Sequence, residues 1–338
     1  MTAVLQSAYG DIDVYGMGTV AVPVPGPGQV LVRVRATSLH ADIWHTMRGE
    51  PLMLRLMGGG FIRPNQPVPG TDLAGEVVAV GAEIQGCPIG FCPGDRVFGQ
   101  SLGWNLWRNG GTYAEYAAVD ASRLEKIPDG TGFVEAAVTA TSGQIVLQNL
   151  PLEPLVDGCR ILVHGAAGCV GSLAVQIAKA RGAVVTAVDL PSKLDSLRAC
   201  GADQVIDGST TVPTEGAARY DMVFDVLGIH PLRKWRRVLE PNGHYILIGH
   251  DQYGSCGRKV LGSVPKMLSL ALQAPFVSQK VLVSPPKLSE PPLKMLARWL
   301  ESGAIAPRID SVLGLADLPQ AMRRLERNEV DGRIVFAP

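Results

Sequence analysis

Two histidines and an aspartate lie close together in the segment SLHADIWH, residues 38–45. His40, Asp42 and His45 offer imidazole and carboxylate groups that can bind a metal ion or move a proton. The separation of the two histidines differs from the i, i+4 spacing that places two zinc-binding histidines on one helix face. A local metal cluster, proton transfer and ordinary packing all stay open from this segment alone.

A glycine-rich segment, HGAAGCVG at residues 164–171, indicates a second kind of chemistry. It lies between an apolar run and a stretch with helical spacing, and Asp189 ends the next apolar run about 20 residues after Gly168. Small residues let a pyrophosphate approach the backbone at a helix N-terminus. We interpret the segment as a dinucleotide-binding loop rather than a plain strand-to-helix turn. The predicted cofactor contacts in it are Ala166, Ala167, Gly168, Cys169 and Val170.

Asp189 also bears on which nicotinamide nucleotide would bind. A carboxylate can accept hydrogen bonds from both ribose hydroxyls of NADH, whereas it repels the 2′-phosphate of NADPH. At ~4 Å and an effective dielectric constant of ~20, this repulsion is on the order of 4 kcal/mol per pair of unit charges. Lys193 would offset part of it if its side chain turned inward, and a solvated helix charge is the alternative. The sequence predicts NAD(P)H as the cofactor, with NADH favoured by Asp189.

The elements that must position these residues fall into two groups. Residues 1–125 read as short strands between Gly, Pro and Asp breakers, among them QVLVRVRATS, and predict a small barrel-like or sandwich domain. From about residue 158, apolar runs alternate with helices, which is typical of a parallel sheet covered on both faces. PLRKWRRVLE (231–240) is a predicted helix and QKVLVS (279–284) a predicted sixth strand.

The composition excludes several classes of protein. Lys plus Arg and Asp plus Glu both number 31, so no basic excess indicates nucleic acid or a polybasic membrane patch. The N-terminal residues lack the pattern of a signal peptide, and the most apolar stretch (261–283) is interrupted by lysines and prolines. Six scattered cysteines favour free thiols in a reducing compartment. We therefore expect a cytoplasmic protein with a small-molecule substrate and without nucleic-acid or membrane partners.

Several motifs together resemble one known family. They are VPGTDLAGEVVAVG (68–81), PGDRVFG (93–99), GTYAEYAAV (111–119), the glycine loop and DGRIVFAP (331–338). In this order they resemble the medium-chain dehydrogenases/reductases, and more closely the zinc-independent, zeta-crystallin-like quinone oxidoreductases. The resemblance implies an α/β fold: a GroES-like β-rich catalytic domain (1–125 and 285–338) around an inserted Rossmann domain with a doubly wound parallel sheet (126–284). It also implies a homodimer and an active site in the cleft between the domains.

The resemblance adds further cofactor contacts. Thr141 matches a family threonine near the nicotinamide, and a buried hydroxyl that bonds back to a helix carbonyl is the alternative. Ligands of open α/β sheets bind outside the carboxyl ends of the strands. The remaining predicted contacts end the fourth and fifth strands of the parallel sheet: Val226, Leu227, Gly228, Ile248 and Gly249.

The resemblance also bears on zinc. Zinc-bearing relatives take their catalytic ligands from three segments, and the matching positions here are His40, Thr71 and about Ala137. A catalytic zinc needs three protein ligands, and only His40 is one that could serve, so we predict no metal. The zinc-independent branch usually has Asn at the position of His40, and its acid stands one place later than Asp42. The roles of the family residues in this segment therefore transfer only loosely.

Without a metal, a conjugated C=C–C=O group or a quinone is a better hydride acceptor than an isolated ketone, because its negative charge is spread out. His40 is the first candidate for polarising the substrate or donating the proton, and His45 is the second. Asp42 would orient a histidine or cap a turn, and for both histidines a buried ring bonded to backbone is the alternative. The predicted function is a zinc-independent NAD(P)H-dependent oxidoreductase for enones or quinones. A zinc-free alcohol or aldehyde dehydrogenase and a nucleotide-binding protein without turnover stay as alternatives.

Overall fold

Two large β-sheets joined by a long helix form most of the fold, and the first two strands pair as a small separate sheet. The computed structural model of the protein describes residues 1–82, 90–102, 108–249, 259–281 and 288–338.

The first half of the chain is β-rich, as predicted. Its elements are β1 (Thr2–Gln6), β2 (Tyr15–Thr19), β3 (Gln29–Ser38), α1 (Ile43–Arg48), β4 (Asp72–Val80), β5 (Arg96–Gln100), β6 (Tyr116–Asp120) and β7 (Leu124–Lys126). β3 pairs antiparallel with both β4 and β6, and β5 extends the sheet from β4 to β7. The sequence alternates Val30, Val32 and Val34 with Leu31, Arg33 and Arg35 along β3. Burial follows this alternation from Val32 to Arg35, but Leu31 is buried as well.

The second half begins with a helix and continues as a parallel sheet. Its strands are β8 (Arg160–His164), β9 (Val184–Asp189), β10 (Gln204–Asp207), β11 (Tyr220–Asp225), β12 (Leu239–Leu247) and β13 (Lys280–Val281). Its helices are α2 (Phe133–Asn149), α3 (Cys169–Ala180), α4 (Leu194–Ala199), α5 (Leu232–Trp235) and α6 (Val264–Gln273). The strands lie in the order β10-β9-β8-β11-β12-β13. Successive strands are added on one side of β8 up to β10 and on its other side from β11 onward, so the winding of the chain reverses between β8 and β11. This confirms the doubly wound sheet, and such a reversal is where these folds bind ligands.

Two predictions on local structure need correction. The helix predicted over residues 231–240 is wrong in its second half, because α5 ends at Trp235 and β12 begins at Leu239. Leu239 pairs with Tyr220 of β11, so burial in the sheet overrides the helical spacing of the sequence. Of the predicted strand QKVLVS, Lys280 and Val281 pair with β12 as β13, and residues 282–284 lie outside the described residues.

The end of the chain returns to the first sheet. Its elements are α7 (Pro292–Glu301), β14 (Ile309–Leu313), α8 (Leu318–Glu326) and β15 (Arg333–Phe336). β15 pairs antiparallel with β3, and β14 pairs parallel with β15. The domain limits themselves, 1–125 with 285–338 and 126–284, stay a prediction.

Helix α2 connects the two sheets through a shared core. One buried cluster runs from Ala36 and Phe98 of the first sheet through α2 to Ile161 of the parallel sheet. This close packing couples the two sheets through α2. No helix among the described residues has the length and apolar character that a bilayer crossing requires.

Candidate active site

The glycine loop connects β8 to α3 by a sharp turn. Gly165 has a φ of +80°, which is a conformation that favours glycine. A Cβ on Gly171 would lie 2.3 Å from the Gly165 carbonyl oxygen, so α3 packs directly on the loop. A Cβ on Gly168 would meet nothing closer than 3.9 Å beyond its chain neighbours. Because Gly168 is exposed and is the N-cap residue of α3, a pyrophosphate can reach the N–H groups of the helix N-terminus at this point.

The segments that end β11 and β12 lie against this loop. A Cβ on Gly165 would lie 2.7 Å from Leu227 Cγ, and a Cβ on Gly228 would lie 2.0 Å from the Gly249 carbonyl oxygen. The two strand ends therefore approach each other through their backbones, which only glycine allows. Together with the glycine loop they form one rim at the point where the strand order reverses.

The predicted cofactor contacts of this rim differ in what they expose. The buried ones are Ala166, Ala167, Cys169 and Gly249, the half-buried ones are Val170, Val226, Gly228 and Ile248, and the exposed ones are Gly168 and Leu227. The buried residues can offer only backbone groups to a ligand, whereas Leu227 offers an apolar side chain to a flat ring.

Asp189 and Lys193 face different parts of the protein. The Asp189 carboxylate accepts the Ala167 N–H at 2.8 Å and the Leu190 N–H at 2.9 Å, so it lies beside the glycine loop. Each carboxylate oxygen can still accept a ribose hydroxyl. The Lys193 ammonium donates to the Val330 carbonyl oxygen at 2.7 Å. The ammonium group is thus bound to the C-terminal part of the chain, whereas the alternative considered from the sequence was a solvated charge on a helix.

His40 lies in the loop between β3 and α1, with only 7% of its surface exposed. Its Nδ1 lies 3.3 Å from the Asp42 backbone nitrogen and 3.1 Å from Asp42 Oδ2. Asp42 precedes α1, but its side chain makes no capping hydrogen bond to the helix. Of the two roles considered for Asp42, the geometry therefore favours orienting the histidine. The Nε2 atom of His40 is buried and has no hydrogen-bond partner among the described residues.

His45 is placed differently. It is buried within α1, and its Nδ1 lies 2.8 Å from the Glu50 carbonyl oxygen. Its ring packs edge-on against Trp44, with the ring centroids 5.1 Å apart. These contacts correspond to the alternative of a buried ring bonded to backbone.

A buried carboxylate that the sequence reasoning missed lies behind His40. Asp72 of β4 is fully buried and accepts the Ser38 hydroxyl at 2.5 Å and the Thr141 N–H at 3.1 Å. The Thr141 hydroxyl also donates to Asp72 and lies 3.0 Å from Gln100 Oε1. The Thr141 hydroxyl therefore does not bond back to a helix carbonyl, and its contact with the nicotinamide stays a prediction. The signal was present in TDLAG, where an aspartate begins an otherwise apolar strand.

Arg333 of β15 links this network to the glycine loop. Its guanidinium is buried and donates to the Leu39 carbonyl oxygen at 2.7 Å and to the Ser142 hydroxyl. The preceding Gly332 forms an isolated parallel bridge with Gly168. The end of the chain thus holds the two halves of the site together.

The charge of Arg333 is retained despite its burial. Burial is the largest single influence and lowers the pKa of the guanidinium, but Cys169, Asp72 and Tyr113 together raise it, so the net shift is upward. A permanent cation therefore lies between the Asp72 carboxylate and the cofactor loop, and it offsets the cost of burying that carboxylate.

Asp225, at the carboxyl end of β11, is a second buried carboxylate that the sequence reasoning missed. Its oxygens lie 2.8 Å from His164 Nδ1, and they accept the Trp235 Nε1–H and the Tyr245 hydroxyl, each at 2.9 Å. The Gly228 N–H also donates to it, at 2.8 Å. The network fixes the strand end that forms one side of the cofactor rim.

The chain is similar to known proteins along nearly its whole length. Residues 26–129 match the family described as "Alcohol dehydrogenase GroES-like domain", and residues 200–336 match "Zinc-binding dehydrogenase". The chloroplast envelope quinone oxidoreductase homolog of Arabidopsis thaliana is 30% identical over 94% of this chain and 92% of its own length. The NADPH-dependent alkenal/one oxidoreductase of the same plant is 28% identical over 100% of this chain and 80% of its own. The quinone oxidoreductase structure from Coxiella burnetii has a TM-score of 0.81, covers 100% of this chain and 99% of its own, and is 23% identical.

The chain therefore belongs to the medium-chain dehydrogenase/reductase family, as its motifs implied. It is an oxidoreductase that uses a nicotinamide cofactor, and the open Gly168 backbone beside Asp189 fits such a dinucleotide.

The zinc in the second family description does not fit the residues present. Within the described ranges, no group of three or more His, Cys, Asp or Glu side chains is arranged to hold a metal ion. At the three positions that match zinc ligands in relatives, Thr71 and Ala137 provide neither imidazole, thiolate nor carboxylate. The absence of a metal stays a prediction.

Proposed function

We propose that this protein reduces the C=C bond of a conjugated enone, or a quinone, with NAD(P)H and without zinc. The observation that carries the proposal is the buried Nε2 of His40, which has no hydrogen-bond partner among the described residues. Leaving a buried polar atom without a partner costs about 1–3 kcal/mol, which a substrate oxygen would recover. Relatives named as a quinone oxidoreductase and an alkenal/one oxidoreductase support this substrate class.

The orientation of His40 makes Nε2 a hydrogen-bond donor. A neutral ring that accepts the Asp42 N–H at Nδ1 carries its hydrogen on Nε2, and an imidazolium facing the Asp42 carboxylate also carries one there. A bound reduced nicotinamide would supply the hydride. The negative charge that hydride addition leaves on the substrate oxygen is stabilised by the Nε2–H group. Transfer of this proton, or of one from water, then completes the addition of hydride and proton.

The buried network behind His40 has a positioning role. Ser38 lies two residues before His40 in the chain and donates to Asp72, which also binds α2 through Thr141. The backbone that carries His40 is thereby tied to the helix that connects the two sheets. Such fixed placement keeps the donor directed at the oxygen throughout the reaction, without reorganisation.

We further propose that NADH is preferred over NADPH. Asp189 lies at the glycine loop, where it would face the adenine ribose and repel a 2′-phosphate. Lys193 offsets this repulsion little, because its ammonium is engaged by the Val330 carbonyl oxygen. One relative is named as NADPH-dependent. A preference for NADH would therefore distinguish this chain from that relative.

The assembly and location expected from the sequence also remain proposals. In the part of the chain that the structure describes, β13 is the last strand of its sheet and offers an edge to a second copy in a homodimer. The cytoplasmic location stands on the cysteine content alone. Light scattering of the purified protein would test the dimer.

The test of the function is a substrate panel. Oxidation of NADH and NADPH is followed with enones, quinones, isolated ketones and aldehydes as acceptors. We expect turnover with enones or quinones and none with isolated ketones and aldehydes. Turnover confined to aldehydes or alcohols would support an alcohol dehydrogenase instead. Cofactor binding without oxidation across the whole panel would support a protein that has lost turnover.

A further inference from the structure

Strand β15 binds both polar backbone groups of Leu39, the residue that precedes His40. The Leu39 N–H donates to the Ile334 carbonyl oxygen at 2.9 Å. The Leu39 carbonyl oxygen accepts a hydrogen bond from Nη1 of Arg333 at 2.7 Å. Because Arg333 and Ile334 are consecutive, the backbone that leads into His40 cannot shift along β15 without breaking both bonds.

Arg333 is also tied to the cofactor half of the site. The preceding Gly332 forms a parallel bridge with Gly168, the N-cap residue of α3. Gly332 has a φ of +106°, and a Cβ on it would lie 2.7 Å from the Arg308 carbonyl oxygen, so this approach requires glycine. Nη2 of Arg333 donates to the Ser142 hydroxyl of α2. One residue therefore connects the glycine loop, α2 and the backbone that carries His40.

The type of side chain matters at this place. A guanidinium presents its N–H groups in a rigid planar fork, so its bonds to Leu39 and Ser142 fix each other's direction, whereas a lysine ammonium is a single flexible donor. Only 6% of the Arg333 surface is exposed. Replacing a buried ion pair with well-packed apolar side chains is often neutral or stabilising. Stability alone therefore does not account for an arginine here.

We infer that Arg333 is a positioning residue for the reduction, which holds His40 in place relative to the cofactor loop. It acts through the Leu39 carbonyl oxygen and not by contact with the substrate. The inference deepens the proposed function and rests on it for the role of His40. A catalytic group that is misplaced by about 1 Å can lower the rate about 100-fold, so a backbone anchor next to His40 has a large influence on turnover.

A direct contact with the cofactor diphosphate is the other role open to a cation beside the glycine loop. Two observations oppose it for Arg333. Its surface is almost completely buried, and both of its terminal nitrogens already donate to protein oxygens, those of Leu39 and Ser142. The open backbone at Gly168 offers the diphosphate its N–H groups without displacing either bond.

The kinetic test uses two variants and a matched control. Arg333→Lys keeps the charge and loses the fork, and Ser142→Ala removes one of the two acceptors that direct it. Thr139→Val is the control, because it removes another buried hydroxyl of α2, which donates only to the Glu135 carbonyl oxygen. With an enone and saturating NADH we expect kcat to fall about tenfold or more in Arg333→Lys and about threefold in Ser142→Ala. The Kd for NADH should stay within about twofold in both, and Thr139→Val should behave as the unmodified protein does.

Nuclear magnetic resonance of the histidine rings gives a second measurement that does not depend on turnover. The Cε1–H resonance of His40 is assigned by its loss in His40→Ala. We expect this resonance to shift in both Arg333→Lys and Ser142→Ala, because the ring changes its place relative to Asp42. The resonances of His164 and His244 in the parallel sheet should stay unchanged, which also shows that the variants are folded. If Arg333→Lys does not fold, Ser142→Ala alone decides.

Three outcomes would overturn the inference. They are an unshifted His40 resonance in the folded variants, an equal loss of kcat in Thr139→Val, and a loss of NADH affinity at unchanged kcat. The last outcome would assign Arg333 to the diphosphate. If the unmodified protein reduces no enone or quinone, the proposed function fails, whereas the His40 resonance still shows whether Arg333 holds that ring in place. The two failures are therefore distinguishable.

Discussion

The two halves of the site are built by different means. The cofactor half consists of backbone: an exposed glycine at a helix N-terminus and strand ends that meet through Gly228 and Gly249. The proposed catalytic half consists of side chains: His40 and the Asp72 network behind it. Backbone sites of this kind need short sequence motifs with fixed spacing, whereas side-chain networks need contacts between distant segments.

This difference explains what could be predicted. The glycine loop and Asp189 belong to one strand-helix-strand unit, so their meeting follows from local order in the sequence. Asp72 receives hydrogen bonds from Ser38 and Thr141, which lie 34 and 69 residues away in the chain. No periodicity encodes such a contact, because it depends on how the sheet of the first half packs on α2.

The largest expected effect breaks the catalytic half. His40→Ala removes the proposed donor to the substrate oxygen, and we expect turnover with an enone to fall about 100-fold to 1,000-fold. The control is His45→Ala, which loses a contact to the Glu50 carbonyl oxygen and should lower the free energy of unfolding rather than turnover. Steady-state kinetics with saturating cofactor measure both variants. Unchanged turnover in His40→Ala would remove this residue from the mechanism.

The next effect separates binding from folding in the cofactor half. A valine at Gly168 enters open space, so Gly168→Val should fold normally and weaken cofactor binding by about tenfold or more. A valine at Gly171 meets the Gly165 carbonyl oxygen, so Gly171→Val should lower the free energy of unfolding by about 1–3 kcal/mol. Calorimetric titration and denaturant unfolding measure the two quantities. Equal cofactor affinity in Gly168→Val would show that the pyrophosphate does not lie there.

A smaller effect concerns the choice of nucleotide. Asp189→Ala removes the carboxylate beside the glycine loop, so kcat/KM for NADPH relative to NADH should rise by about tenfold. The variant Lys193→Ala is its control, because this ammonium is held at Val330 and should affect the ratio little. An unchanged ratio in Asp189→Ala would refute the proposed preference for NADH.

The smallest expected effect lies in the sheet beneath the cofactor half. Burial lowers the pKa of His244 in β12, and Lys280 on the neighbouring strand lowers it further. The unfolded chain therefore binds this proton more readily, and stability falls as the pH drops below about 6.5. Denaturant unfolding at about pH 7.5 and about pH 5.5 should show a smaller decrease for His244→Gln than for the unmodified protein. An equal decrease in both would exclude this histidine as a cause.

The predictions of helices and strands also differ in this way: local patterns could be predicted from the sequence, and tertiary contacts could not. The strand β3 and the loop before α3 could be predicted because their burial patterns are local. The helix predicted after Pro231 was too long, since the burial of Val238 and Leu239 depends on their place beside β11. The direction of the α6 side chains could not be predicted either. Its sequence is that of a buried helix, and only the tertiary structure shows that most of it faces outward.

The most direct test of the account is reduction of a conjugated enone by protein dialysed against a chelator and checked for metal content. We predict that the metal-free protein oxidises NADH at the same rate as the untreated protein, because the proposed mechanism stabilises the oxyanion with His40 rather than with a Lewis acid. A rate that falls on chelation and returns on addition of zinc would contradict the account.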